Sequence, residues 1–201
     1  MPNMRQTTQK KPQSTPQKTP KIMPNAQQTQ QTPQKNIANF IPQSLEMVLI
    51  DSLLEVTQDF IRTQAHIKAD NAFLHTDEKT GKSRFPSYNI LEIFAQSLAL
   101  WRTKKEQQNL SKDSKKNPNT AQNTQNANKL GFLLGARGFE IFTPFVEIGQ
   151  IIQVNLTLNM QDENGLGVYE GEAFVNGKIV AKTSLTALNP NDEFLSKILD
   201  G

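Results

Sequence analysis

Apolar positions along the chain are concentrated in a few stretches, and the densest is a helix. Ten of the fourteen residues from Tyr88 to Trp101 are apolar, and Pro86-Ser87 supplies a helix start just ahead of them. A helix apolar on nearly every side predicts burial rather than a place on a surface. Asn89, Glu92 and Gln96 nevertheless recur at three- and four-residue spacing and draw a polar stripe along it. A carboxylate inside a buried helix is costly unless it is paired or put to use.

The other apolar stretches read as strands. Residues 47–57 form one, and residues 60–69 alternate, with Phe60, Thr63, Ala65 and Ile67 toward one face and His66 toward solvent. Four more follow at 129–142, 150–162, 167–176 and 178–188, where Gly131, Gly135 and Gly138 would ease curvature or bulges. ENGLG at 163–167 and Asn176-Gly177 are hairpin turns, so the last three strands form an antiparallel meander. The pattern predicts an α+β domain over residues 37–190: a curved antiparallel sheet of about six strands wrapped around one buried helix. Its ordered part, roughly 140 residues, is ample for one hydrophobic core.

Outside these stretches the chain is polar. Residues 1–36 are rich in Gln, Thr, Pro and Lys with almost no large apolar side chains, which predicts a disordered tail. Residues 106–129 share that character and read as a flexible basic loop, and residues 191–201 as a C-terminal tail.

Charge follows the same division. Residues 1–36 carry six Lys and Arg and no acid, and residues 102–129 carry seven against Glu106 and Asp113. The pI near 9.1 therefore belongs to these two segments, while the core is acidic. A nucleic-acid partner is not expected on that basis, although the loop would attract an acidic protein. The absence of Cys fits a reducing cytoplasm, and neither a secretory signal nor an apolar run near the ~20 residues of a spanning helix is present. No metal cluster, P-loop or dinucleotide fingerprint appears, so no bound cofactor is implied.

Four short motifs carry a resemblance. IPQSLEMVLIDSLLEV (41–56), RFPSYNILEIFAQ (84–96), GFLLGAR (131–137) and GVYEGEAF (167–174) resemble, in order and spacing, segments of the hotdog-fold 3-hydroxyacyl-(acyl carrier protein) dehydratases. Within that family they look most like the ApeP-like branch of aryl polyene clusters, related to the FabA and FabZ dehydratases. The resemblance covers roughly residues 37 to 190. It implies a hotdog fold, a homodimer or a heterodimer with another hotdog subunit, and an acyl carrier protein whose phosphopantetheine arm bears the substrate. The implied reaction dehydrates 3-hydroxyacyl thioesters to trans-2-enoyl thioesters.

In such dehydratases a carboxylate at the position of Glu92 works with a histidine from elsewhere in the dimer. Elimination needs a base for the C2 proton and an acid for the departing hydroxyl. The resemblance gives the second task to Glu92, and His75 in NAFLH partly matches the histidine segment, though an extra TDEKTGKSR (76–84) separates it from Phe85-Pro86. It further puts Gln43, Phe85, Ser87, Tyr88 and Gln96 around the substrate, with backbone N–H groups near Ser87 and Tyr88 facing the thioester oxygen. Gln43 stands where the family usually has a histidine, and an amide cannot act as a base at neutral pH. Three alternatives stay open. Glu92 is a structural residue bonded to Gln96, the chain is a silent subunit supporting an active relative, or it is a hotdog thioesterase with its carboxylate on the same helix.

Overall fold

A computed structural model describes residues 37–41, 43–114 and 131–189. The tails assigned to 1–36 and 191–201, and the loop beyond residue 114, lie outside the described residues. Among the described residues, nine strands and one long helix form in the order β1 (Ser52–Val56), β2 (Phe60–His66), β3 (His75–Thr76), β4 (Ser83–Pro86), α1 (Ile90–Ser114), β5 (Phe132–Ile141), β6 (Phe145–Glu147), β7 (Ile151–Gln161), β8 (Leu166–Val175) and β9 (Lys178–Leu188). Six of the strands make one antiparallel sheet in the order β1-β2-β7-β8-β9-β5. The buried half of α1 packs on its β2 and β7 region, which is the helix-and-sheet arrangement of the hotdog fold.

Alternation along the strands decides which side chains meet the helix. Ile61, Thr63 and Ala65 of β2 and Ile152, Val154 and Leu156 of β7 are buried, and Ile90, Ile93, Phe94, Leu98 and Trp101 come down from α1. The inward series of β2 begins at Ile61; Phe60 sits at the strand end and is only half-buried. Gly171 of β8 lets the Phe94 ring lie against the backbone, since a Cβ there would stand 2.9 Å from its edge. The buried hydroxyls of Thr63 and Ser97 bond to each other at 2.8 Å, and Ser97 Oγ also donates to the Ile93 carbonyl at 2.7 Å, so neither costs stability as an unpaired group.

The hairpin turns follow their residues. Asn176 and Gly177 both hold positive φ (51° and 74°), as a two-residue turn between twisted strands requires. Gly138 (φ 58°) lies within the register shift between Arg137 and Glu140 of β5, and Gly135 bounds the other shift in that strand.

Three expectations change. Residues 47–57 are not one strand: Leu45–Met47 is a single 3-10 turn and pairing starts only at Ser52. Residues 106–114 are helical, because α1 runs on through Gln, Lys and Ser positions that its buried first half already holds in helical register. A second sheet, β3-β4-β6, was not foreseen; its strands are two to four residues long, too short to show a period.

Candidate active site

The polar stripe of α1 is a connected set of hydrogen bonds. Gln96 is fully buried, its Oε1 accepts the Leu49 N–H at 2.9 Å, and its Nε2 donates to the Met47 carbonyl at 2.8 Å. The same Nε2 donates to Glu92 Oε1 at 2.9 Å. Gln43 Nε2 donates to that oxygen as well, at 3.2 Å. Both amides therefore hold one oxygen of the half-buried Glu92 carboxyl and leave Oε2 for another partner. Gln43 Oε1 is buried and meets no donor among the described residues.

The helix start is built by the small sheet. Ser87 is fully buried, and its N–H donates to the Pro144 carbonyl at 3.0 Å, so it is not the free oxyanion donor expected from the sequence. Its Oγ is buried and without a partner among the described residues. Tyr88, one residue on, is 63% exposed despite standing in the apolar run. Asn89 Nδ2 donates to the Phe73 carbonyl at 3.3 Å and ties the segment before His75 to the helix. Phe85 is fully buried in the core.

His75 is exposed and lies directly opposite Arg84 in the β3–β4 pair. Cross-strand partners share a face, and successive residues of a strand alternate. Phe85, next to Arg84, enters the core, so His75 and Arg84 face away from it. Arg84 there stacks over the Phe145 ring at 4.1 Å. Within one chain, then, Gln43, Glu92 and Gln96 come together while His75 turns outward.

The basic stretch after residue 101 is also partly engaged. Arg102 pairs with Glu106 at 3.1 Å, Lys105 donates to the Gln58 carbonyl at 3.0 Å, and the Lys104 amine lies 3.5 Å from the Phe40 ring centroid. Burial lowers the Lys104 pKa from its ordinary value.

The bracket around Gln96 was missed from the sequence because its partners are backbone groups of residues 47 and 49, and nothing in side-chain pattern marks a carbonyl or N–H left free for a distant amide. Gln43 was singled out, but its bond to Glu92 spans 49 positions.

A family model for ApeP dehydratases matches residues 35–199. The chain belongs to the ApeP-like dehydratases. Among solved structures it is similar to the dehydratase heterocomplex ApeI:P from Xenorhabdus doucetiae, at 23% identity and a TM-score of 0.59 over 82% of this chain and 97% of that one. It is also similar to the PaaI protein from the phenylacetic acid degradation operon of E. coli, at 11% identity and a TM-score of 0.48 over 77% and 88% of the two chains. The first likeness, at that identity, shows the shared fold. No curated protein matches the chain. No helix among the described residues is long and apolar enough to cross a membrane.

Proposed function

We propose that this ApeP-like protein dehydrates 3-hydroxyacyl thioesters, carried on the phosphopantetheine arm of an acyl carrier protein, to trans-2-enoyl thioesters. The observation that carries the reading is the Glu92 carboxyl, fixed through Oε1 by two amide donors. With both donors on Oε1, a protonated Glu92 keeps its hydrogen on Oε2, aimed at a reacting atom. A base takes the C2 proton, the electron pair forms the C2=C3 bond, and the C3–O bond breaks. Glu92 Oε2–H supplies the proton that lets the hydroxyl leave as water. The base and Glu92 then exchange one proton to reset. Charge on the thioester oxygen is met by the Tyr88 N–H, since that of Ser87 is committed.

The base belongs to a second hotdog subunit in this reading. His75 faces away from the core of its own chain, and β5 is an exposed outermost strand bearing Phe132, Leu133, Leu134 and Ile141. The likeness to a dehydratase heterocomplex supports a related chain as that subunit. A silent supporting subunit is the second reading, favoured by Gln43 in place of the family's histidine and by the outward His75. Mass spectrometry of 3-hydroxyacyl carriers, incubated with the protein alone and with candidate hotdog partners, separates them. Loss of water that falls by ~10²-fold or more in Glu92→Gln of this chain supports the enzyme. Turnover that needs this chain yet ignores Glu92→Gln and His75→Ala supports the silent subunit.

A further inference from the structure

The amide beside Glu92 has a half without a task. Gln43 spends its Nε2 on Glu92 Oε1, and because that carboxyl oxygen accepts, the amide's orientation is fixed: nitrogen toward Glu92, carbonyl oxygen away. That carbonyl oxygen is buried and has no hydrogen-bond partner among the described residues. A buried acceptor left unpaired is unfavourable, and a ligand that brings a donor relieves it. The amide carbon joins this oxygen to the nitrogen that lies 3.2 Å from Glu92 Oε1, and neither amide bond to that carboxyl uses its Oε2.

We infer that Gln43 reads the substrate's 3-hydroxyl: Gln43 Oε1 accepts the hydroxyl hydrogen while Glu92 Oε2 faces the same oxygen. This rests on the dehydratase reading and adds to it the group that selects the substrate. A 3-hydroxyl is the one C3 substituent in the reaction that donates. A 3-oxo group would set an acceptor against an acceptor, and a methylene or the enoyl product offers no donor. The site thus favours the substrate over its product and its more oxidised and more reduced relatives. Accepting the hydroxyl hydrogen also turns the oxygen lone pairs toward the Glu92 proton. Gln96 has no such capacity, since both its Nε2 hydrogens and its Oε1 are engaged within the chain.

The test uses pantetheine thioesters that cannot eliminate because C2 carries two methyl groups: 2,2-dimethyl-3-hydroxybutyryl, 2,2-dimethyl-3-oxobutyryl and 2,2-dimethylbutyryl. Affinities are measured by calorimetry on the full chain, with its hotdog partner where a complex forms. The wild type should prefer the hydroxyl ligand over each of the others by about tenfold, the range of one well-placed hydrogen bond. Gln43→Met, close in size and without the amide, should bring the ratios to near one; because ratios are taken within one protein, a general loss of affinity cancels. A wild-type ratio of one, no binding of the hydroxyl ligand, or a ratio preserved in Gln43→Met overturns the inference. If the wild type shows the preference and Gln43→Met loses it while no carrier substrate is dehydrated, the dehydratase reading fails and the hydroxyl reader stands. Dehydration with the preference intact in Gln43→Met has the reverse meaning.

Discussion

Glu92 is oriented by two amide side chains, and one of them, Gln96, is itself held by backbone. Gln96 is the keystone, because it satisfies the Leu49 N–H and the Met47 carbonyl as well as Glu92. Gln96→Leu would leave the buried Leu49 N–H and the part-buried Met47 carbonyl unpaired and should cost about 2–4 kcal/mol, read as a fall in melting temperature; an unchanged midpoint would contradict the bracket. Gly171 is the other residue on which the helix seat depends. A Cβ there meets Phe94 at 2.9 Å and Leu156 at 3.1 Å, both in a packed core. Gly171→Val should therefore destabilise by about 1–3 kcal/mol through overpacking, with denaturant midpoints as the measure. At this scale the sequence was informative where chemistry sits in a periodic element. The stripe Asn89, Glu92, Gln96 was legible from spacing, and all three side chains make long-range bonds. That Gln96 would face inward to the 47–49 backbone was not, since a free backbone group leaves no trace in residue type.

Among the elements, α1 and the hairpin β3–β4 set the site in different ways. The helix owes its place to apolar burial, whereas the hairpin depends on its turn. Asp77 Oδ1 accepts from the Thr80 N–H at 2.9 Å, the Thr80 hydroxyl at 3.0 Å and the Lys79 N–H at 3.0 Å. The Thr80 bonds, backbone first, hold the Asp77 pKa below its ordinary value. A folded-state pKa lowered in this way gives ordering that is full above the ordinary aspartate value of about 4 and is lost as pH falls through the lower folded-state value. Amide exchange at Thr80 should accelerate, relative to its intrinsic rate, on acidification across that window, and should be fast at all pH values in Asp77→Ala. Protection that is flat with pH would contradict the turn's role. The meander β7-β8-β9 was legible because Asn176-Gly177 and ENGLG name their turns. The helical course of 106–114 was not, because polar residues carry no burial signal and their helix is an extension of the buried part.

For the whole molecule, the feature that bears on assembly is β5. Its ten residues form the outermost strand of the six-stranded sheet, nearly all exposed on both faces. A strand of that length, apolar and paired only with β9 among the described residues, presents an outer edge that is a template for association. The protein should be at least dimeric, or heterodimeric with a related chain, at micromolar concentration. Leu134→Lys, at a side chain already 57% exposed, should weaken that assembly without lowering the monomer's stability. Sedimentation of both proteins decides it, and a wild type that sediments as a monomer with and without hotdog relatives would remove the shared-site mechanism. The fold class was legible at this scale from six strand-like runs around one apolar helix. The outward face of His75 was not, because it depends on the register with Arg84, which no local pattern encodes.

In the proposed mechanism the Glu92 carboxyl protonates the leaving hydroxyl. The most direct measurement is the rate of water loss from a 3-hydroxyacyl carrier, followed by mass spectrometry in the active assembly, for wild type and Glu92→Gln. Glutamine keeps the size of the side chain and removes the acid. The rate should be lower by at least ~10²-fold, with an unchanged circular dichroism spectrum and unchanged assembly. A folded, assembled Glu92→Gln protein that dehydrates at the wild-type rate would contradict it.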